Sequence, residues 1–216
     1  LPHLDYLARR CPGAYVAFKT DSPVFTVKVK LKSMTVDFGM GLYAAQSVLV
    51  TVGQRDKARH MGLVFPYTYE MNELERTFYK SNELEQVMVY FPRNEEFEYL
   101  DIYLEDNATV TEPTPFKYSK PVVFYGSSIT EGAASTNVTN AYTATLARWL
   151  DFECINLGLP GNARGELEIA DYIKTIDMGV FVYDYDHNAP TTQHLQDTHE
   201  RMFRIIREAN PDLPII

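Results

Sequence analysis

Pro121-Val122-Val123-Phe124-Tyr125-Gly126-Ser127-Ser128-Ile129-Thr130-Glu131-Gly132 is where the grammar of this chain changes. A largely apolar run passes at once into small residues and then into a helical pattern, which reads as a buried parallel strand feeding a helix. The theme repeats downstream: helix around Ala141 to Leu150, strand Glu153 to Leu157, helix Glu166 to Ile176, strand Gly179 to Tyr183, helix Thr192 to Ala209 and strand Leu213 to Ile216. Alternating β and α elements with short loops predict a parallel sheet with helices on both faces. In such sheets ligands bind beyond the carboxyl ends of the strands.

Upstream the period is two. Phe25-Thr26-Val27-Lys28-Val29-Lys30-Leu31 alternates apolar with polar residues, and similar stretches recur at Gln46 to Val52, Arg76 to Lys80, Leu84 to Phe91 and Phe97 to Leu104. Turn residues separate them at Asp21-Ser22-Pro23, Gly53 to Asp56, Ser81-Asn82 and Pro92-Arg93-Asn94. Short strands in series with no convincing helix between them predict an antiparallel β-sandwich, jelly-roll-like, over residues 1–112. Residues 113–120, with two prolines and little apolar content, read as a linker, and residues 121–216 as the α/β domain.

Composition narrows the function. Lys and Arg total 20 against 29 Asp and Glu, a net charge of −9, and no clustered basic face offers itself to phosphates, so nucleic acid is not an expected partner. No apolar run reaches the roughly 20 residues that span a bilayer, so no membrane is expected either. The start, Leu1-Pro2-His3-Leu4-Asp5, is not a signal peptide; the chain reads as soluble and cytoplasmic, although either end could be a cut. Cys11 and Cys154 lie far apart without metal-type spacing, which predicts neither a disulfide framework nor a zinc site.

Three strand ends carry candidate chemistry. Gly126-Ser127-Ser128 sets a serine at a strand-to-helix turn, where backbone N–H groups can serve an oxyanion; the same residues could simply cap a helix. Neither a GxSxG elbow nor a phosphate loop is present, since Thr130 stands where the last elbow glycine would be. Asn156-Leu157-Gly158-Leu159-Pro160-Gly161-Asn162 offers an unshielded backbone amide at Gly161, or is merely a turn. Tyr183-Asp184-Tyr185-Asp186-His187-Asn188 offers an Asn amide, or caps the helix that follows.

The order and placement of these segments resemble the SGNH, or GDSL-type, hydrolase superfamily. The resemblance covers about Lys120 to Ile216 and implies a flavodoxin-like fold in which Ser128 is the nucleophile, with the Ser128 and Gly161 backbone amides and the Asn188 side chain as the oxyanion hole. Ser127 replaces the usual Asp of Gly-Asp-Ser, and Asp186-His187 precedes Asn188 in place of Gly-x-Asn-Asp. A β domain before this sheet is similar to a bacterial subgroup of the superfamily, whose Gly-x-Asp-Leu-Tyr signature is matched by Gly39-Met40-Gly41-Leu42-Tyr43 except at Gly41. Carbohydrate esterases with a jelly roll before an SGNH domain offer a looser parallel. The implied activity is a serine esterase acting on a small or carbohydrate-linked ester. Two alternatives stay open: acyl transfer from the same acyl-enzyme, and a catalytically silent glycan-binding protein.

A serine hydroxyl needs a base. The superfamily supplies a His from an Asp-x-x-His motif after the last strand, so the catalytic His and Asp are expected beyond Ile216, the hydrolase domain is expected to be incomplete, and these residues alone are expected to be nearly inactive. Asp184-Tyr185-Asp186-His187 has the spacing but occupies the oxyanion-motif position. His194 and His199, five apart on one predicted helix, face different ways, so they do not suggest a shared metal and read as solvent-facing. His3 and His60 read as surface residues. Asp184 and Asp186 lack a third carboxylate, and no metal or cofactor is expected.

Overall fold

In a computed structural model, which describes residues 1–37 and 39–216, the chain divides into two units. One comprises Leu1–Ala8, Phe116–Ala133 and Ala141–Ile216, and the other Arg9–Pro115 with Ala134–Asn140. The first eight residues, with the short helix α1 (Asp5–Ala8), thus belong with the downstream unit.

The β unit contains β1 (Tyr15–Thr20), β2 (Val24–Leu31), helix α2 (Leu42–Gln46), β3 (Val48–Val52), β4 (Arg59–Val64), β5 (Glu73–Tyr79), β6 (Glu85–Tyr90), β7 (Phe97–Leu104) and β8 (Val110–Thr111). They form two antiparallel sheets, ordered β4-β3-β6-β1-β8 and β5-β2-β7. The alternation in β2 does what its period requires: Phe25, Val27, Val29 and Leu31 are each at most 1% exposed, while the residues between them are not buried. These side chains meet Val48, Val50 and Val52 of β3 and Val87 and Val89 of β6 in one cluster, so the two sheets share a core. Strands β1 and β4 and helix α2 go beyond the sequence expectation. β4 is an edge strand carrying Gly62, with a register shift opposite Val50 and Thr51, and that irregularity hides its period. Buried Glu95 accepts hydrogen bonds from Ser33 Oγ (2.8 Å), Thr35 N (2.6 Å) and Gln46 Nε2 (3.1 Å), which ties down both ends of the segment between β2 and β3.

The α/β unit continues with β9 (Val122–Gly126), α3 (Ser128–Glu131), α4 (Tyr142–Leu150), β10 (Cys154–Gly158), α5 (Leu167–Ile173), β11 (Val180–Asp184) and α6 (Thr192–Ala209). The sheet is parallel and ordered β10-β9-β11. After β11 and α6, Phe181 N–H donates to Pro214 O (3.0 Å) and Ile216 N–H to Phe181 O (2.9 Å), so the terminal apolar residues extend the sheet in parallel. Residues of β9 alternate between two helix layers. Val123 and Tyr125 pack with Ala170 and Ile173 of α5 and Met202 and Ile206 of α6, whereas the ring of Phe124 lies on the other face against Tyr142 of α4 and against Phe152. Burial on both faces explains the unbroken apolar character of β9 in the sequence.

β10 and β11 flank β9 on opposite sides, so the strand order reverses at β9, and in open parallel sheets ligands bind beyond the carboxyl end of such a switch point. The register makes the three strand ends level there: Gly126 pairs with Gly158 on one side and with Asp184 on the other.

Candidate active site

The two serines at the end of β9 have different tasks. Ser127 is buried, and its Oγ accepts the Ile129 N–H at 3.1 Å as the N-cap of α3. Ser128 is half-buried and is the first helical residue, so its own N–H lies outside the helix's internal bonding. The cap therefore consumes one hydroxyl and presents the other.

Two glycines let this turn close. A Cβ on Gly126 would sit 2.1 Å from Thr130 Oγ1 and 2.6 Å from the Asp184 carbonyl, and one on Gly158 would sit 2.2 Å from the Glu131 backbone nitrogen. The turn at Ser127 and Ser128 and the two flanking strands approach so closely that only glycine fits at these two positions.

Hydrogen bonds join the three loops directly. Leu159 N–H donates to Gly126 O at 2.8 Å, Ser127 N–H donates to Asp184 O at 3.3 Å, and Asn188 Nδ2 donates to Leu159 O at 3.2 Å. Asn156, whose Nδ2 donates to Thr130 O at 2.8 Å, secures the far end of α3. Gly161 follows in the loop between β10 and α5, left-handed at φ +66°, with open space within 4 Å of where a Cβ would be.

Beneath this loop lies a network that the sequence did not announce. Buried Tyr125 donates its O–H to Glu166 Oε2 at 2.5 Å and accepts the Gly165 N–H at 2.9 Å; burial first, then the neighbouring Glu166 carboxylate, raises its phenol pKa well above the usual range. Glu166 also accepts the Arg164 N–H at 3.1 Å, and Arg164 Nη2 donates to Gly161 O at 3.0 Å. The one available signal is the density of polar residues in Gly161-Asn162-Ala163-Arg164-Gly165-Glu166 after an apolar strand. Nothing local shows that Tyr125, some forty residues earlier, would reach them.

The other flagged residues lie as follows. The Asp184 carboxylate accepts from Tyr142 O–H at 3.3 Å, while Asp186 and His187 are exposed in the one-turn 3-10 helix that ends at Asn188. His194 and His199 are not the simply solvated residues their spacing suggests. His194 is half-buried, with Nε2 2.8 Å from Arg164 O, and His199, though exposed, stacks on Tyr183 with ring centroids 4.4 Å apart. Burial pushes the Tyr183 phenol up to about 12. Among the described residues no group of three or more His, Cys, Asp or Glu side chains could hold a metal ion. No helix among them is long and apolar enough to cross a membrane.

The sequence model of the GDSL-like lipase/acylhydrolase family matches residues 119–216. This segment belongs to the SGNH hydrolase superfamily. A solved protein from Bacteroides ovatus described as a GDSL-like lipase superposes on the whole chain at a TM-score of 0.89 with 27% identity, and the chain spans 63% of its length. The salicylyl-acyltransferase SsfX3 of a tetracycline biosynthetic pathway superposes on 97% of the chain (TM-score 0.73, 19% identity), which spans 59% of that protein. A family-two carbohydrate esterase of Clostridium thermocellum, solved as an active-site mutant with a cello-oligosaccharide, superposes on 95% (TM-score 0.60, 14% identity), with 70% of that protein spanned. The last two likenesses are of fold. No curated protein matches the chain. The matched segment contains all three strand-end loops that the hydrogen bonds above bring together.

Proposed function

We propose that this protein is an SGNH-type serine esterase that cleaves a small or carbohydrate-linked ester through an acyl-enzyme at Ser128, with the Ser128 and Gly161 amides and the Asn188 side chain binding the oxyanion. In this reading the strands within residues 1–112 form a two-sheet sandwich, although residues 1–8 themselves belong with the downstream unit, and residues 121–216 belong to the hydrolase domain, joined by 113–120. The observation that carries the proposal is the direct bonding of the three loops, Gly126 to Leu159, Leu159 to Asn188 and Ser127 to Asp184, over strand ends held in level register. Such bonds preorganise donors before substrate arrives, which is the condition for electrostatic stabilisation of a tetrahedral intermediate.

The chemistry runs in two halves. Ser128 Oγ attacks the ester carbonyl as its proton passes to a base, the carbonyl oxygen becomes an oxyanion facing the donors, and collapse expels the alcohol to leave an acyl-serine. Water then attacks the acyl-serine through a second oxyanion in the same hole and releases the acid. The reading assigns the base to none of His3, His60, His187, His194 and His199. Two of these already have structural partners, His194 at Arg164 and His199 at Tyr183.

The test is hydrolysis of p-nitrophenyl acetate by the full-length protein. Ser128→Ala is expected to lower kcat/KM by at least about 10³-fold while leaving the melting temperature in place. Turnover that survives the substitution ends the proposal.

A further inference from the structure

The Gly161 amide sits in a turn that can point it in two directions. Leu159-Pro160-Gly161-Asn162 is closed by the Asn162 N–H donating to Leu159 O at 3.0 Å, with proline at the second position and Gly161 at φ +66° at the third, which is type II geometry. Type I and type II turns differ chiefly by rotation of the central peptide plane, here the one containing Pro160 C=O and Gly161 N–H. Glycine at the third position tolerates both orientations, and proline at the second suits both. Because the peptide is trans, its C=O and N–H point opposite ways, so whatever holds the Pro160 carbonyl decides where the Gly161 N–H is aimed.

The side chain of Asn162 holds it. Asn162 Nδ2 donates to Pro160 O at 2.7 Å, a short bond, and Asn162 is half-buried. The next plane is fixed as well, since Arg164 Nη2 donates to Gly161 O at 3.0 Å. Ala163 N–H and Asn188 Nδ2 both donate to Leu159 O, at 3.0 and 3.2 Å, anchoring the start of the turn. Steric packing at residue 161 cannot do this work, because the space around its Cβ position is open.

We propose that Asn162 is a positioning residue for ester cleavage: its side-chain amide locks the Pro160–Gly161 peptide in the orientation that aims the Gly161 N–H at the developing oxyanion. This rests on the assignment of Ser128 and Gly161 above. Asn162 touches no reacting atom and acts only through the neighbouring peptide plane. An oxyanion donor strengthens its bond as negative charge forms, so loss of its aim lowers kcat more than it alters substrate binding.

Asn162→Asp is nearly isosteric but replaces the donating NH₂ by a carboxylate oxygen that cannot donate to a carbonyl. In the full-length protein acting on p-nitrophenyl acetate, it is expected to lower kcat about 10- to 100-fold, with KM within about twofold of wild type and an unchanged melting temperature. Asn162→Gln, which keeps a donor on a longer arm, is expected to recover part of the loss. A second reading needs no turnover: in ¹⁵N spectra of the same protein the Gly161 amide is expected to shift or broaden by exchange in Asn162→Asp and to stay sharp in Asn162→Gln. A kcat within twofold of wild type in Asn162→Asp overturns the proposal, as does an unmoved Gly161 amide. Ser128→Ala, assayed alongside, separates the two ideas: if it retains full turnover, the site assignment fails and this inference falls with it, whereas Ser128-dependent turnover indifferent to Asn162→Asp removes the inference alone.

Discussion

Adding one methyl group at Gly158 should disturb the turn at Ser127 and Ser128 more than almost any other change of its size. An alanine Cβ there would lie 2.2 Å from the Glu131 nitrogen, 2.5 Å from its Cα and 2.8 Å from its Cβ. Two of these atoms are backbone of α3, the helix that begins at Ser128, so no rotamer change relieves the clash and either α3 or the end of β10 must move. Overpacking of this kind costs about 1–3 kcal/mol, and the rigid neighbours place Gly158→Ala in the upper part of that range. At about 2–4 °C per kcal/mol for a chain of this size, the loss in melting temperature is about 6–12 °C. Gly161→Ala is the internal control. Its Cβ meets nothing within 4 Å, so only the left-handed φ of +66° is penalised, at about 1 kcal/mol and hence about 2–4 °C. Thermal unfolding followed by circular dichroism compares the two. If Gly158→Ala melts within about 1 °C of wild type, or above Gly161→Ala, the close approach of α3 to β10 is not as described.

Two further outcomes follow from the buried groups of the α/β unit. Tyr125→Phe strips Glu166 of its phenol donor and leaves the Gly165 N–H without its acceptor; the expected cost is about 1–3 kcal/mol in urea unfolding with an unchanged slope, and a cost near zero would mean that this network does not hold the loop. Burial pushes the Cys154 thiol up to about 12 from an ordinary value of 9.0. Since the folded state favours the protonated thiol, this contribution to stability is complete below about pH 9 and is lost as pH rises from there to about 12. Cys154 should accordingly react with a disulfide reagent at pH 8 far more slowly in the native protein than in urea, and equal rates would refute its burial.

The sequence was most readable where one local rule governs a whole element. Helix α6 runs over Thr192–Ala209 as expected because Thr191 caps it, accepting the His194 N–H at 3.0 Å, and because Leu195, Met202, Ile205 and Ile206 recur on the face that meets the core. The alternation in β2 was equally plain, since its polar face and its buried face are both continuous. In β1 the burial pattern does not alternate cleanly, and in β4 a bulge breaks the period. Helix α2 is only five residues long and has no capping side-chain bond to announce it.

At the site, the sequence by itself determined the three loops, because small residues directly after apolar strands are required where backbones approach closely and a helix must start. It also marked Gly161 as a position for an unshielded amide. Only the tertiary structure decided that Ser127 spends its hydroxyl on the cap while Ser128 does not, that Gly126 and Gly158 are steric necessities, and that Tyr125, Glu166, Arg164 and Asn162 hold the Gly161 turn. The physical reason is the reach of each interaction. A cap or an amphipathic face is set by residues a few positions apart, whereas the pairing of Gly126 with Gly158 and Asp184, and the reach of Tyr125 to Glu166, exist only once β10 and β11 have docked on either side of β9.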